Sequence, residues 1–121
     1  MKPVSILLCL MNFLGCHAAD FRSVDADTFE QVIEDTTVIR LDVRTASEYA
    51  QGHIPNALLI DVTQADFMQK AEQLLQKDKT IALYCRSGRR SKTAAQLLAK
   101  QGYQVIELNT GFNSWKGEIE R

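Results

Sequence analysis

Residues Thr80-Ile81-Ala82-Leu83-Tyr84 are apolar toward both alternating faces. A strand with one face in water would alternate apolar and polar side chains, whereas this one needs cover on both sides, the condition of a central strand in a parallel sheet. Helices supply such cover, so the strand points to an α/β architecture. The remaining pattern agrees. Phe21 to Val24 reads as a short first strand, and Asp25 as the cap of a helix carrying Ala26, Phe29, Val32 and Ile33 on one face. Thr37 to Leu41 is β-branched and strand-like. Thr45 to Gln51 reads as a short helix closed by Gly52, and His53-Ile54-Pro55 turns the chain into a short strand from Ala57 to Ile60. Asp66 to Lys77 is an amphipathic helix with Phe67, Ala71, Leu74 and Leu75 on a shared face. Ser91 to Gln101 is helical in pattern, with Gly102 placed to end it, and Gln104 to Leu108 supplies the last strand. The expected fold is a central, mostly parallel five-stranded sheet with helices on both faces.

The first segment has a different character. Lys2 precedes an apolar run from Val4 to Leu14, interrupted only by Ser5 and Asn12; Gly15, Cys16, His17, Ala18 and Ala19 then lead to Asp20. Charge, apolar stretch and small residues in that order are those of a secretory signal. The run falls short of the ~20 apolar residues that span a bilayer. Residues 1–18 are therefore expected to be a signal peptide and 19–121 the domain, placing the mature protein in the periplasm without a transmembrane segment. Phe13-Leu14-Gly15-Cys16 also resembles a lipobox, which would anchor the chain through a lipidated Cys16. The alternative is a buried N-terminal strand or helix.

Lys+Arg number 14 and Asp+Glu 15, which gives no basis for nucleic-acid binding. A hydrophobic content of 45% suffices for a packed core. Cys9 and Cys16 lie in or beside the leader, leaving Cys85 as the cysteine of the domain. Alone, it cannot form an internal disulfide, so it is either inert in the core or kept for its chemistry.

Cys85-Arg86-Ser87-Gly88-Arg89-Arg90-Ser91 joins the central strand to the next helix. Ligands of open α/β sheets bind at the carboxyl ends of strands. A turn from strand to helix aims backbone N–H groups inward, Gly88 permits conformations other residues resist, and the helix start adds a positive dipole end. These donors favour the Cys85 thiolate, and the thiolate is the nucleophile. Arg86, Arg89 and Arg90 add cations, making a site for an anion with a nucleophile at its base. A core cysteine followed by a solvated basic loop is the plainer alternative.

Cys85 to Arg90, a Cys-x4-Arg loop followed by Ser91, resembles the active-site loop of rhodanese domains. Leu41-Asp42-Val43-Arg44, Glu48-Tyr49 and Gly52-His53-Ile54-Pro55-Asn56-Ala57 resemble a second signature of that family, with Asn56 where Gly is frequent. Asn also tolerates the left-handed region. Thr110-Gly111-Phe112 with Trp115 is a weaker match. The resemblance runs from about Phe21 to Trp115 and is greatest to small exported bacterial rhodaneses of the phage-shock type. It implies a thiosulfate sulfurtransferase: Cys85 takes sulfur from thiosulfate as a persulfide and passes it to cyanide or a thiol, without cofactor or metal. Arg86, Ser87, Gly88, Arg89 and Arg90 would bind the substrate. Asp42, Arg44 and Glu48 would be structural support, Arg44 pairing with Glu48 four residues on, and Arg90 bonding acidic groups such as Asp42. His53 is expected to be packed or turn-bonded and Trp115 a core or edge residue. The expected oligomeric state is a monomer.

Three rival readings have identifiable marks. Cysteine phosphatases use Cys-x5-Arg, one residue longer than this loop. Binding modules of the same fold commonly lack the cysteine. A redox enzyme would need a second mature cysteine to resolve a disulfide. A persulfide carrier serving a partner protein remains open and differs from the enzyme mainly in its acceptor.

Overall fold

The computed structural model describes residues 20–121; the expected leader and its alternative, an anchor at Cys16, lie outside the described residues. Five parallel strands form one sheet: β1 (Arg22–Val24), β2 (Ile39–Asp42), β3 (Leu58–Leu59), β4 (Thr80–Tyr84) and β5 (Gln104–Leu108), in the spatial order β1-β5-β4-β2-β3. Four helices connect them: α1 (Ala26–Ile33), α2 (Ala46–Gln51), α3 (Phe67–Leu74) and α4 (Arg89–Lys100).

The two-faced strand lies at the centre, between β2 and β5. Its Ile81 and Leu83, with Cys85 beyond, join a core of Leu41, Ala71, Ala94 and Leu98 on the face covered by α3 and α4. Ala82 and Tyr84 join Phe29, Ile33, Ile54 and Leu108 on the face covered by α1. Alternation along one strand thus feeds two cores. The strand order also creates a switch point: from β2 the chain moves outward to β3, and from β4 it moves the other way to β5. The carboxyl ends of β2 and β4 meet there, with Asp42 and Tyr84 in register.

Local signals work as expected at most ends. Asp25 caps α1 by accepting from Thr28 N at 2.9 Å, Gly102 is left-handed after α4, and Asn56 holds its turn at φ 67°. Three expectations are corrected. The second strand starts at Ile39, because Asp35 draws Thr37 into a turn, accepting from its N at 2.9 Å and its Oγ1 at 2.7 Å. α3 ends at Leu74, since Leu75 is extended at φ −106°, ψ 151°. Leu75 reaches the core through that extended backbone, while Leu74, expected on the buried face, is 51% exposed. α4 begins at Arg89, two residues before Ser91, so the loop is shorter than the sequence reading made it.

Candidate functional site

Cys85 leaves the end of β4 with 1% exposure. Its sulfur accepts from Gly88 N at 3.1 Å. Burial pushes the thiol up; the Ser91 hydroxyl and the backbone N–H groups of Ser91, Gly88 and Ser87 outweigh it, so the thiol titrates below its ordinary value. The lowering comes mainly from hydrogen bonds, with the start of α4 supplying the orientation. Gly88 stands at φ 102°, and a Cβ there would lie 2.0 Å from Asn109 O. Only glycine closes this loop.

The segment after β5 braces the loop from outside. Phe112 N donates to Cys85 O at 2.8 Å and Asn113 N to Arg86 O at 3.0 Å. Gly111, at φ 71°, lies so close that a Cβ would be 2.3 Å from Arg86 O.

Beside the loop, a buried cluster joins β2 to β4. Asp42 Oδ2 accepts from Arg44 Nη2 at 2.7 Å and from Tyr84 Oη at 2.7 Å, while Oδ1 accepts from Arg44 Nε at 3.0 Å and Arg44 N at 2.9 Å. Arg44 Nη2 also donates to Gly52 O at 2.7 Å, and its guanidinium lies 4.4 Å from the Phe112 ring centroid. Burial alone would lower the Arg44 pKa; the bond to Asp42 and its charge outweigh that and raise it. Burial, then the Asp42 charge and hydrogen bond, keep the Tyr84 phenol protonated. The expected Arg44–Glu48 pair is therefore corrected, because Arg44 Nε and Nη2 are taken by Asp42 and Gly52 O.

Glu48 serves Arg90 instead. Arg90 Nη1 reaches Glu48 Oε1 at 2.8 Å and Nη2 reaches Oε2 at 3.0 Å, which corrects the expected bond from Arg90 to Asp42. The same carboxylate caps α2, accepting from Thr45 N at 3.0 Å. The Arg90 hydrogen bonds, against some burial and with Thr45 assisting, hold Glu48 down at about 2. Arg86 and Arg89 are exposed, and among the described residues neither has an ion-pair partner. A cleft of about 230 Å³ is lined by Arg44, Glu48, Gln51, Arg86, Phe112 and Asn113.

His53 is stacked on Tyr49 at 3.6 Å between centroids, with Nδ1 2.9 Å from Tyr49 O. Trp115 packs edge-on against Phe29 at 6.2 Å. Both are structural, as expected. Sequence reasoning missed Tyr84, Lys92 and Glu107: two sit at ordinary core positions of strands, and Lys92 looks like a solvated helix residue. Lys92 Nζ in fact donates to Gly88 O at 3.1 Å and to Glu107 Oε2 at 3.1 Å.

The arrangement gives a nucleophilic sulfur facing backbone N–H donors, with the exposed cations Arg86 and Arg89 in the same loop segment, suited to an anionic reactant. Comparison with known proteins agrees with this geometry. The protein is 31% identical over 87 residues to the thiosulfate sulfurtransferase GlpE of Coxiella burnetii, covering 71% of this chain and 78% of that one. It is 33% identical over 106 residues to YrkF of Bacillus subtilis, which is named as a sulfur carrier protein; the match covers 86% of this chain but only 56% of YrkF. The crystal structure of a rhodanese-like domain protein from Staphylococcus aureus superposes with a TM-score of 0.71 at 28% identity, covering 83% of this chain and 97% of that one. Residues 25–118 match the rhodanese-like domain, and the chain belongs to that family.

Proposed function

We propose that the domain transfers sulfane sulfur from thiosulfate or a similar anionic donor to cyanide or a thiol through a persulfide on Cys85. Membership of the family and a sulfurtransferase relative support sulfur transfer in general. The observation that carries the finer reading is the sulfur of Cys85, buried yet facing N–H donors that lower its pKa. The Cys85 thiolate attacks the outer sulfur of thiosulfate. A Cys85 S–S bond forms, the donor's S–S bond breaks, and its electron pair leaves with sulfite. A cyanide or thiolate acceptor then takes the outer sulfur, and the electron pair of the broken bond restores the Cys85 thiolate. Ser87, Gly88 and Ser91 N–H groups steady the anionic persulfide, and Arg86 and Arg89 draw in the donor.

Intact mass tests this reading. Incubation with thiosulfate should add one sulfur atom, removable by cyanide. Cys85→Ser should add none while remaining folded, since the change in size is small. Sulfur loading of the folded serine variant would overturn the assignment.

A second reading has one observation in its favour, the YrkF relative named as a sulfur carrier. A carrier would load sulfur and release it to a partner protein far faster than to cyanide or small thiols. The phage-shock-type assignment and export remain part of the same proposal, resting on Lys2, the apolar run to Leu14 and the small residues to Ala19. N-terminal sequencing of periplasmic and membrane fractions from a bacterial host separates cleavage before Ala19 from lipidation at Cys16; a cytoplasmic protein beginning at Met1 would reject export.

A further inference from the structure

Lys92 stands near the start of α4, where a cation meets the positive end of the helix dipole. Its side chain is 43% exposed and could give its ammonium to water. It turns instead onto four oxygens: Asn109 Oδ1 at 3.0 Å, Gly88 O at 3.1 Å, Glu107 Oε2 at 3.1 Å and Asn109 O at 3.2 Å. An ammonium has three hydrogens, so all of them can be engaged within the protein.

Three of those oxygens belong to β5 and the residue after it. Glu107 is fully buried on that strand, and Asn109 N donates to Val24 O at 2.8 Å, which ties the segment to β1. The fourth, Gly88 O, belongs to the Cys85 loop. Lys92 thus fastens the loop to the sheet.

Gly88 needs such an anchor. Its φ of 102° and ψ of −2° are left-handed, and without a side chain its own torsions restrain it least. Its N–H nonetheless makes the one hydrogen bond to the Cys85 sulfur found among the described residues, at 3.1 Å. The carbonyls of Cys85 and Arg86 are held by Phe112 N and Asn113 N, and the carbonyl of Gly88 is held by Lys92. The peptide unit between them, which carries the Gly88 N–H, is planar and is fixed through its neighbours on both sides.

We propose that Lys92 is a positioning residue for Cys85: by holding the Gly88 carbonyl against the end of β5, it keeps the Gly88 N–H aimed at the sulfur. The route is two hydrogen bonds long, from Lys92 Nζ to Gly88 O and from Gly88 N to Cys85 Sγ. The other charged groups near the loop are placed otherwise. Arg90 is taken by Glu48, and Arg86 and Arg89 are exposed.

The inference rests on Cys85 as the reacting group, but its test does not depend on turnover. Thiolate absorbance is followed against pH, with Cys85→Ser as the blank for Cys9, Cys16 and the tyrosines, while NMR follows the Gly88 amide proton. In the native chain that proton should shift with the same midpoint as the thiolate. Lys92→Met keeps the stem and removes the donors. Its thiolate-to-thiol ratio at fixed pH should fall about 2–10-fold, the worth of one hydrogen bond, and its Gly88 proton should respond less to the titration. The fall should persist in high salt, which screens a partly exposed charge. An unchanged ratio, a fall that added salt abolishes, or a native Gly88 proton indifferent to the titration would overturn the assignment. Lys92→Met leaves Glu107 buried with one partner fewer. Should it fail to fold, Lys92→Met combined with Glu107→Gln removes both charges, and the same fall should appear against Glu107→Gln alone; no fall there would equally overturn the assignment. Failed sulfur loading with these results intact would instead strike the sulfur-transfer reading and leave the role of Lys92 standing.

Discussion

Arg44 and Arg86 line the same cleft and are held in opposite ways. Arg44 is 4% exposed, forked onto Asp42, bonded to Gly52 O and laid against Phe112. Arg86 is exposed, and no ion-pair partner is found for it among the described residues. The Nε and Nη2 hydrogens of Arg44 are committed to Asp42 and Gly52 O; they fix β2, the turn at Gly52 and the ring of Phe112 as one body. An exposed guanidinium keeps its side-chain freedom until an anion orders it, and its charge remains available. Two arginines at one cleft thus differ in burial and in partners, and on the proposed reading Arg44 belongs to the frame and Arg86 to the anion site.

The largest expected effect tests the frame. Asp42→Ala leaves Arg44 buried without its partner, and should cost about 3–5 kcal/mol of stability in urea unfolding. Arg86→Ala should change stability by no more than about 0.5 kcal/mol. Equal costs at the two sites would break the comparison. Next comes the anion site. Each bond from Arg86 or Arg89 to a charged donor is worth about 1.5–3 kcal/mol, so either alanine variant should lower kcat/KM for thiosulfate by roughly 10–100-fold. A less charged sulfane donor should be spared, and the difference should shrink with added salt. Equal loss with both donors would place these arginines in the frame.

Glu48 offers a smaller effect with a defined sign. Its folded pKa is depressed to about 2 from 4.5, so its contribution is present above the ordinary carboxylate value and lost as pH falls through about 2. Glu48→Gln should therefore be less stable than the native chain near pH 6, and the gap should close between about pH 4.5 and 2. The pair with Arg90 is partly exposed, which holds the gap to about 1 kcal/mol or less. Urea unfolding across that range measures it. Smallest of all, Leu74→Ala should shift stability by about 0.5 kcal/mol or less, against about 2–5 kcal/mol for Leu75→Ala.

That last pair shows where the sequence was legible and where it was not. Helical spacing placed Leu74 and Leu75 on one face; the chain leaves the helix between them, an event set by tertiary packing that periodicity does not carry. The two-faced strand, the caps at Asp25 and Gly102 and the turn at Asn56 were readable because each depends on local chemistry. The Cys85 loop was readable because its glycine, cysteine and arginines are contiguous. The partners of those arginines were not. Arg44 chose Asp42 over Glu48, and Arg90 chose Glu48 over Asp42, because the register of β2 against β4 and the start of α4 decide who meets whom. Glu107 was hidden for the same reason: the strand pattern from Gln104 to Leu108 names no partner for it, and only the fold brings Ser91 and Lys92 over it.

The brace by Gly111, Phe112 and Asn113 has an electrical consequence. In a planar trans peptide the C=O and the N–H of the same unit point in opposite directions. Phe112 N bonds the Cys85 carbonyl and Asn113 N the Arg86 carbonyl, so the N–H groups of Arg86 and Ser87 are turned the other way, and that of Ser87 is among the donors that lower the Cys85 pKa. The sign of the field inside the loop is imposed by a segment on its far side. A backbone oriented in this way presents the positive ends of peptide dipoles beside Cys85 whatever side chains stand at 86 and 87.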